Sequence, residues 1–254
     1  MLQAYINDGG LRHAPIIVHA GYVARSKDWL EFSREWQRIL SMSPSIKYFK
    51  MDEAMSFAGE FSSFSEEGRN EKIVLLKDII DRFAFSTLAC CLPVADFETL
   101  IEQGRDIPER MQEQYYYVFF GFIAQIIKHQ KYVDVFTSID WIFEERVRQN
   151  EEIISGWEAF KQSAQTRGRL STMPAFRDYK SVLPLQAADL LAWRVRARWM
   201  EREAAVPPSP FPWDLTPDEL PRLFVFEWNG YSLRQHVERA RNTIGDVPKL
   251  KQSA

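Results

Sequence analysis

The sequence predicts an α/β protein, a mixed β-sheet flanked by helices. Short runs rich in β-branched and aromatic residues alternate with longer segments whose apolar residues recur at helical spacing. Some of the predicted strands are joined by a tight turn and others through helices, which makes the sheet mixed rather than all parallel. At 46% hydrophobic and 14% aromatic, the 254 residues hold ample material for a sizeable core and exclude disorder for most of the chain.

In order, "LQAYIND" reads as a first strand, closed by the turn "GG" and paired as a hairpin with "PIIVHAGYVA". "DWLEFSREWQRIL" spaces Trp29, Phe32, Trp36, Ile39 and Leu40 at helical intervals, and a short extended piece, "SIKYFKM", follows. Ser65 is placed to cap the helix "EEGRNEKIVLLKDIIDRF", and "AFSTLACCL" has the length and composition of a buried strand. An aromatic-rich helix spans 108–130, a strand covers "YVDVFTSIDWIFEE", a helix covers 146–165 and a strand covers "LSTMPAFRDY". The last long helix, 184–204, opens with Pro184, which suits a first helical turn. The expected domain is therefore 1–204. Residues 205–221, rich in proline, read as a stiff connector, and 222–254 as a small appendix of "RLFVFEW", a helix and a polar tail.

Charge and cysteine usage narrow the function classes. A net charge of −3 from 32 basic and 35 acidic residues gives no global pull toward nucleic acid or anionic membrane, so any such contact has to be local. Cys90 and Cys91 are adjacent in a predicted strand, point to opposite faces and form neither a clip nor a zinc knuckle. With no apolar run of about 18 residues and no signal-peptide pattern, the expectation is a soluble cytoplasmic protein. His13, His19, His129 and His236 show no metal-ligand spacing and read as ordinary core or surface residues. "KHQK" and "RVRARW" read as solvated helix faces.

One residue stands out. In "SVLPLQAADLLAWRV", Asp189 has apolar neighbours at i−4, i−1, i+1, i+3 and i+4, so its carboxylate is at least partly buried. An ionised carboxylate out of water requires a partner: a cation, an ion pair or hydrogen bonds. Elsewhere, a period of two places Asp140, Ile142 and Glu144 on one strand face and Glu145 on the other. The same period separates Asp8, with Leu2, Ala4 and Ile6, from Asn7, with Tyr5. Turn chemistry alone is enough to explain "NDGG", and for Glu144 and Glu145 a solvated strand end and a functional site stand as equal alternatives.

Taken together, "YINDGG", "IDWIFEE" and "FRDYKSVLPLQAADLLAW" stand in an order that resembles the bacterial and archaeal family called domain of unknown function 3800, over roughly residues 3–200. The segment "FKMDEAMSFAGEFSSFSEEGRNEK", with Lys50, Glu60 and Arg69, is similar to the family's middle portion. The resemblance implies a ribonuclease H-like fold in which carboxylates from the first strand, a middle strand and a late helix converge on Mg²⁺ or Mn²⁺. It implies a metal-dependent nuclease, with Asn7, Asp8, Glu144 and Asp189 around the metal and Lys180 near the scissile phosphate. Lys50, Arg69, Asp178 and Gln186 would contact a DNA or RNA substrate. The chain departs from the pattern where the family's first aspartate falls on Asn7, its serine on Gly9 and its mid-chain aspartate on Glu144. Either Asp8 and Glu144 have taken over, or the chain is a binding or scaffold subunit of a defence or mobile-element system, or Asn7 is an inactivating change. In the binding-subunit reading, Asp189 is held by Lys50 or Lys180, and a protein partner or a second copy is expected.

Overall fold

The computed structural model describes residues 1–9, 14–103, 109–129, 139–163, 166–170, 172–207, 223–229, 232–233 and 235. The tip of the first hairpin with His13, the start of the mid-chain strand, most of the proline-rich connector, His236 and the polar tail lie outside them. Among the described residues, no helix is long and apolar enough to cross a membrane.

The sheet has six strands: β1 (Leu2–Asp8), β2 (Ile16–Arg25), β3 (Ser86–Pro93), β4 (Ile139–Glu144), β5 (Ala175–Arg177) and β6 (Leu223–Glu227). Their order is β5-β4-β1-β2-β3-β6. β1 runs antiparallel to β2 and β2 to β3, whereas β1–β4, β4–β5 and β3–β6 are parallel. The sheet is therefore mixed, as the combination of a hairpin and helical crossovers requires.

Alternation along the strands sorts the core into two layers. Val18, Ala20, Tyr22, Ala24, Ala89 and Cys91 face one layer, packed against α1 (Ser26–Ser41), α3 (Glu66–Phe83) and α7 (Leu183–Glu203). Ala4, Ile6, Leu88, Cys90, Trp141 and Phe143 face the other, packed against α4 (Val94–Gln103) and α5 (Gln114–Lys128), with α6 (Val147–Gln162) outside α5. Cys90 and Cys91 are free and buried on opposite faces. Ser65 caps α3, its hydroxyl accepting from the Gly68 N–H at 3.1 Å, and Pro184 lies in the first turn of α7.

Several boundaries move. β5 keeps only three residues of the strand expected over "LSTMPAFRDY". α4 and the single turn and a half of α2 (Met51–Ser56) arise where no helix was expected, α4 because Phe97 and Leu100 bury one stripe under β3. Leu223–Glu227, expected as the start of a separate appendix, is the sixth strand of the same sheet. Phe224 and Phe226 pack on the α5 layer and Trp228 is fully buried there, so these residues belong to the domain core. "RVRARW" is corrected as well. Arg194 and Arg196 are buried, because α7 lies across the sheet and has little solvated face at that point.

Candidate functional site

The carboxyl ends of the parallel strands β1 and β4 meet side by side, with Ile6 opposite Phe143. From β1 the chain turns away to β2 on one side, and β4 leads through α6 to β5 on the other. A crevice at such a reversal is where open α/β sheets bind ligands, since strand ends and helix starts leave backbone and side chains unpaired by the sheet.

Continuing the register, Asn7 and Glu144 stand next to each other on the face covered by α7. The Asn7 amide Nδ2 donates to Glu144 Oε2 at 2.9 Å. Asp189, in the second turn of α7, is 7% exposed, and its partner is Lys50. The Lys50 ammonium lies 2.6 Å from Asp189 Oδ1 and 3.7 Å from Glu144 Oε1, and the Met51 backbone N–H donates to Asp189 Oδ2 at 2.7 Å. The Tyr179 ring lies beneath the same ammonium, 4.4 Å from its centroid. Burial pushes the Asp189 and Glu144 carboxyls above their ordinary range, and Lys50 pulls both back. Burial works to lower the Lys50 ammonium, but the two carboxylates outweigh it and hold it above its usual value. Two acids and one lysine thus form a closed charge cluster.

Asp8 makes none of these hydrogen bonds or ion pairs, though it lies within reach of the Glu144 and Lys50 charges. One residue along the strand, it faces the opposite layer, beside Ile6 and cross-strand from His19. There the Arg146 guanidinium donates to its carboxylate. Burial raises Asp8 to about 7, against the pull of Arg146 and with the Glu144 charge adding to the rise. His19 is fully buried among Tyr115, Phe119, Phe122 and Phe143, and neither ring nitrogen has a hydrogen-bond partner among the described residues. Burial lowers its pKa to about 3, so the imidazole is neutral.

The structure thus brings Asn7, Glu144, Asp189 and Lys50 together and sets Asp8 behind them. Gln186, expected at the substrate, is fully buried, and its side chain ties the site together from below. Its Oε1 accepts from Trp36 Nε1 at 2.9 Å and from the Phe49 N–H at 3.1 Å, and its Nε2 donates to the Tyr179 carbonyl at 3.1 Å. It fixes both the strand-like segment carrying Lys50 and the turn carrying Tyr179 on α7. Arg69, also expected at the substrate, is buried on α3, its guanidinium 4.8 Å from the Phe57 ring centroid and paired with Glu66. Asp178 closes the turn before α7 by accepting from the Lys180 N–H at 3.1 Å. Lys180 is exposed at the rim, its ammonium 4.6 Å from the Tyr48 ring centroid.

A divalent cation does not fit this arrangement as it stands. Among the described residues, no three His, Cys, Asp or Glu side chains are grouped to hold one ion. The two carboxylates that face each other here are Glu144 and Asp189, and the place between them is taken by the Lys50 ammonium. Gly9, where the resemblance puts a serine, lies so close under α7 that a Cβ there would be 2.9 Å from the Ala192 carbonyl oxygen.

The residues that sequence reasoning missed are Arg146, Tyr179 and the Met51 N–H, whereas His19 lies in the core, one of the two places expected for it. Arg146 directly follows the strand-end pair Glu144 and Glu145, a position from which a basic side chain can fold back on the strand ends, and this was the one local signal. No protein-family model matches the chain, and neither a curated protein nor a solved structure does.

Proposed function

We propose that the chain is a ribonuclease H-like protein of the kind its motifs resemble, working as a binding or scaffold subunit for a phosphodiester ligand without metal-dependent turnover. The layout supports the ribonuclease H-like part, since side chains from the first strand, a middle strand and a late helix meet at the carboxyl ends of β1 and β4. The observation that carries the rest is the Lys50 ammonium between Asp189 and Glu144, beside the neutral Asn7. It supplies internally the positive charge that these acids need. A nucleic acid then meets the rim, where Lys47 and Lys180 are exposed beside Tyr48 and Tyr179, a combination of cation and ring that suits a single-stranded backbone and its bases.

The metal-dependent nuclease is the second reading, favoured by one atom. Asn7 is fully buried and its Oδ1 has no hydrogen-bond partner among the described residues, so a neutral oxygen donor is left over at the site. That reading needs Mg²⁺ or Mn²⁺ to displace Lys50, with Asn7, Glu144 and Asp189, joined by Asp8, as the donors.

Cleavage and binding assays on single- and double-stranded DNA and RNA, with Mg²⁺ and with Mn²⁺, separate the two. Binding without cleavage, with an affinity that falls only gently with salt because few phosphates are contacted, is the expected result. Metal-dependent cleavage abolished by Asp189→Asn would establish the nuclease instead. A chain that neither binds nor cleaves any of these substrates would remove the phosphodiester ligand from the proposal.

A further inference from the structure

We infer that a pocket beside the Lys50 cluster, over β1, β4 and β5, holds one nucleotide of a bound strand, its phosphate on Arg177 and a base bearing an amino group against Asp140 and Gln3. The inference rests on the phosphodiester reading just proposed and deepens it, since it says where a base is read.

The pocket exists because the helices of this layer stop short of one edge of the sheet. α7 packs on β1, β2 and β3, and α1 on β2. Beside them a volume of about 410 Å³ remains, floored by Ile142 and Ala175 and flanked by Met173 and Val182. Strand register lays out its polar groups in rows. Gln3 stands opposite Asp140, Tyr5 opposite Ile142, and Glu144 opposite Arg177. Alternation turns all of these side chains to one face. Arg177 is thus the neighbour of the Lys50 cluster, and Asp140 lies four residues before Glu144 on β4, about 13 Å from the Arg177 row.

The two ends ask for different things. Arg177 is exposed, one of its nitrogens donates to the Phe176 carbonyl at 2.8 Å, and no carboxylate among the described residues pairs with it. Burial pushes the Tyr5 hydroxyl up and the Arg177 charge pulls it back, so the guanidinium is felt inside the pocket. An unpaired guanidinium takes an anion, and a phosphate matches its fork. At the far end Asp140 accepts one hydrogen bond, from the Thr172 hydroxyl at 3.0 Å. Beside it the Gln3 amide and the Tyr5 hydroxyl have no partner among the described residues. A carboxylate accepts from more than one donor, and an amide both donates and accepts. An amino group with a ring nitrogen next to it, as on adenine and cytosine, satisfies that pair, whereas uracil would turn a carbonyl toward the carboxylate. Between the ends the apolar floor suits the flat face of a base.

The test titrates the full chain with oligo(A), oligo(C) and oligo(U), as RNA and as DNA with thymine for uracil, and with AMP alone. Nuclear magnetic resonance follows the exposed Met173 methyl group in each titration. Oligo(A) and oligo(C) are expected to bind at least about tenfold more tightly than oligo(U) and to shift the Met173 signal. Asp140→Asn should erase the preference while binding persists. Arg177→Gln should weaken all three by a similar factor and lower the salt slope by about one phosphate. Oligomers that bind without base preference and leave Met173 unmoved overturn the inference, and the proposed function then still stands. A Met173 shift with AMP in a chain that binds no oligomer overturns both and makes the occupant a free nucleotide. A chain that binds neither overturns both as well.

Discussion

The two sides of the sheet at the end of β1 solve the same problem in opposite ways. On the α7 side, Asp189 and Glu144 are buried but share a lysine, an asparagine amide and a backbone N–H, so each charge has donors in place. On the α5 side, Asp8 has Arg146, a side chain 36% exposed, and lies cross-strand from a neutral His19 whose ring nitrogens have no partner among the described residues. Both charges of the first cluster are paired through long-range contacts, although the Asn7 Oδ1 has no hydrogen-bond partner among the described residues. The second remains electrostatically uneasy, which shows in an Asp8 raised to about 7 and a His19 lowered to about 3. Adjacent residues on one strand thus end up in a settled and an unsettled environment, because alternation sends them to different layers.

The largest effect should come from breaking the settled side. Asp189→Ala takes the nearer carboxylate from the Lys50 ammonium, leaving it Glu144 alone, and strands the Met51 N–H, and is expected to destabilise the fold by about 3–5 kcal/mol in urea unfolding. A loss below about 1 kcal/mol would mean that Lys50 simply turns to water and that the cluster is a surface pair. Next comes the support below it. Gln186→Leu leaves Trp36 Nε1, the Phe49 N–H and the Tyr179 carbonyl without their partner, for a loss of about 2–4 kcal/mol. Because Gln186 holds the Lys50 segment to α7, nuclear magnetic resonance of the lysine ammonium should show the Lys50 signal moving in this variant. An unmoved signal would reduce Gln186 to ordinary packing.

The unsettled side should respond to pH, with a smaller effect. Asp8 rises from 3.8 to about 7 on folding, so its contribution is fully present below the unfolded value and is lost as pH climbs through about 7. His19 falls from 6.5 to about 3, so its contribution is present above 6.5 and is lost as pH drops toward 3. Between about 4 and 6.5 the two oppose each other. Glu144 and Asp189, also raised, add in the direction of Asp8 and are common to all variants. Thermal melts across that window should show His19→Leu gaining stability over the parent as the solution is acidified, by about 1–2 kcal/mol, since its unfolded state no longer takes up a proton and two orphaned nitrogens are gone. Asp8→Asn should tilt the other way. Parallel pH curves for all three proteins would mean that Asp8 and His19 titrate alike in folded and unfolded chains.

Much of this was legible in the sequence, and unevenly so. The hairpin, the Ser65 cap, Pro184 at the start of α7 and the burial of Asp189 follow from local pattern, and all are present. The alternation that separates Asn7 from Asp8 was legible too. Yet the motif resemblance gathered both into one ligand set, whereas strand geometry puts them in different layers. Lys50 could be named as a candidate partner but not chosen over Lys180, because the contact joins residues 50 and 189 across the fold and leaves no periodic trace. β6 was set apart because the prolines before it read as a boundary, while its pairing with β3 depends on an edge that only the assembled sheet offers.

Gln186 has a consequence for the order in which the chain assembles. Two of its three hydrogen bonds reach back 150 residues to Trp36 and 137 to Phe49, and neither can form until α7 exists. Asp189 reaches back 138 residues to Met51. During synthesis, the segment carrying Lys50 therefore emerges long before Gln186 and Asp189 can hold it, although nearer contacts, such as the Lys47 N–H with Glu60 and the Phe49 ring with Trp36 and Phe61, are within reach earlier. Closing such distant contacts is slow in any chain, since loop entropy must be overcome before the contact stabilises anything. α7 arrives late and fastens the segment through Gln186 and Asp189 within a single turn of helix, so the Lys50 cluster forms only when the domain is nearly complete. Protection of the Phe49 and Met51 amides in a pulsed hydrogen-exchange refolding experiment would mark that moment, after the β1–β2 hairpin amides and together with those of α7.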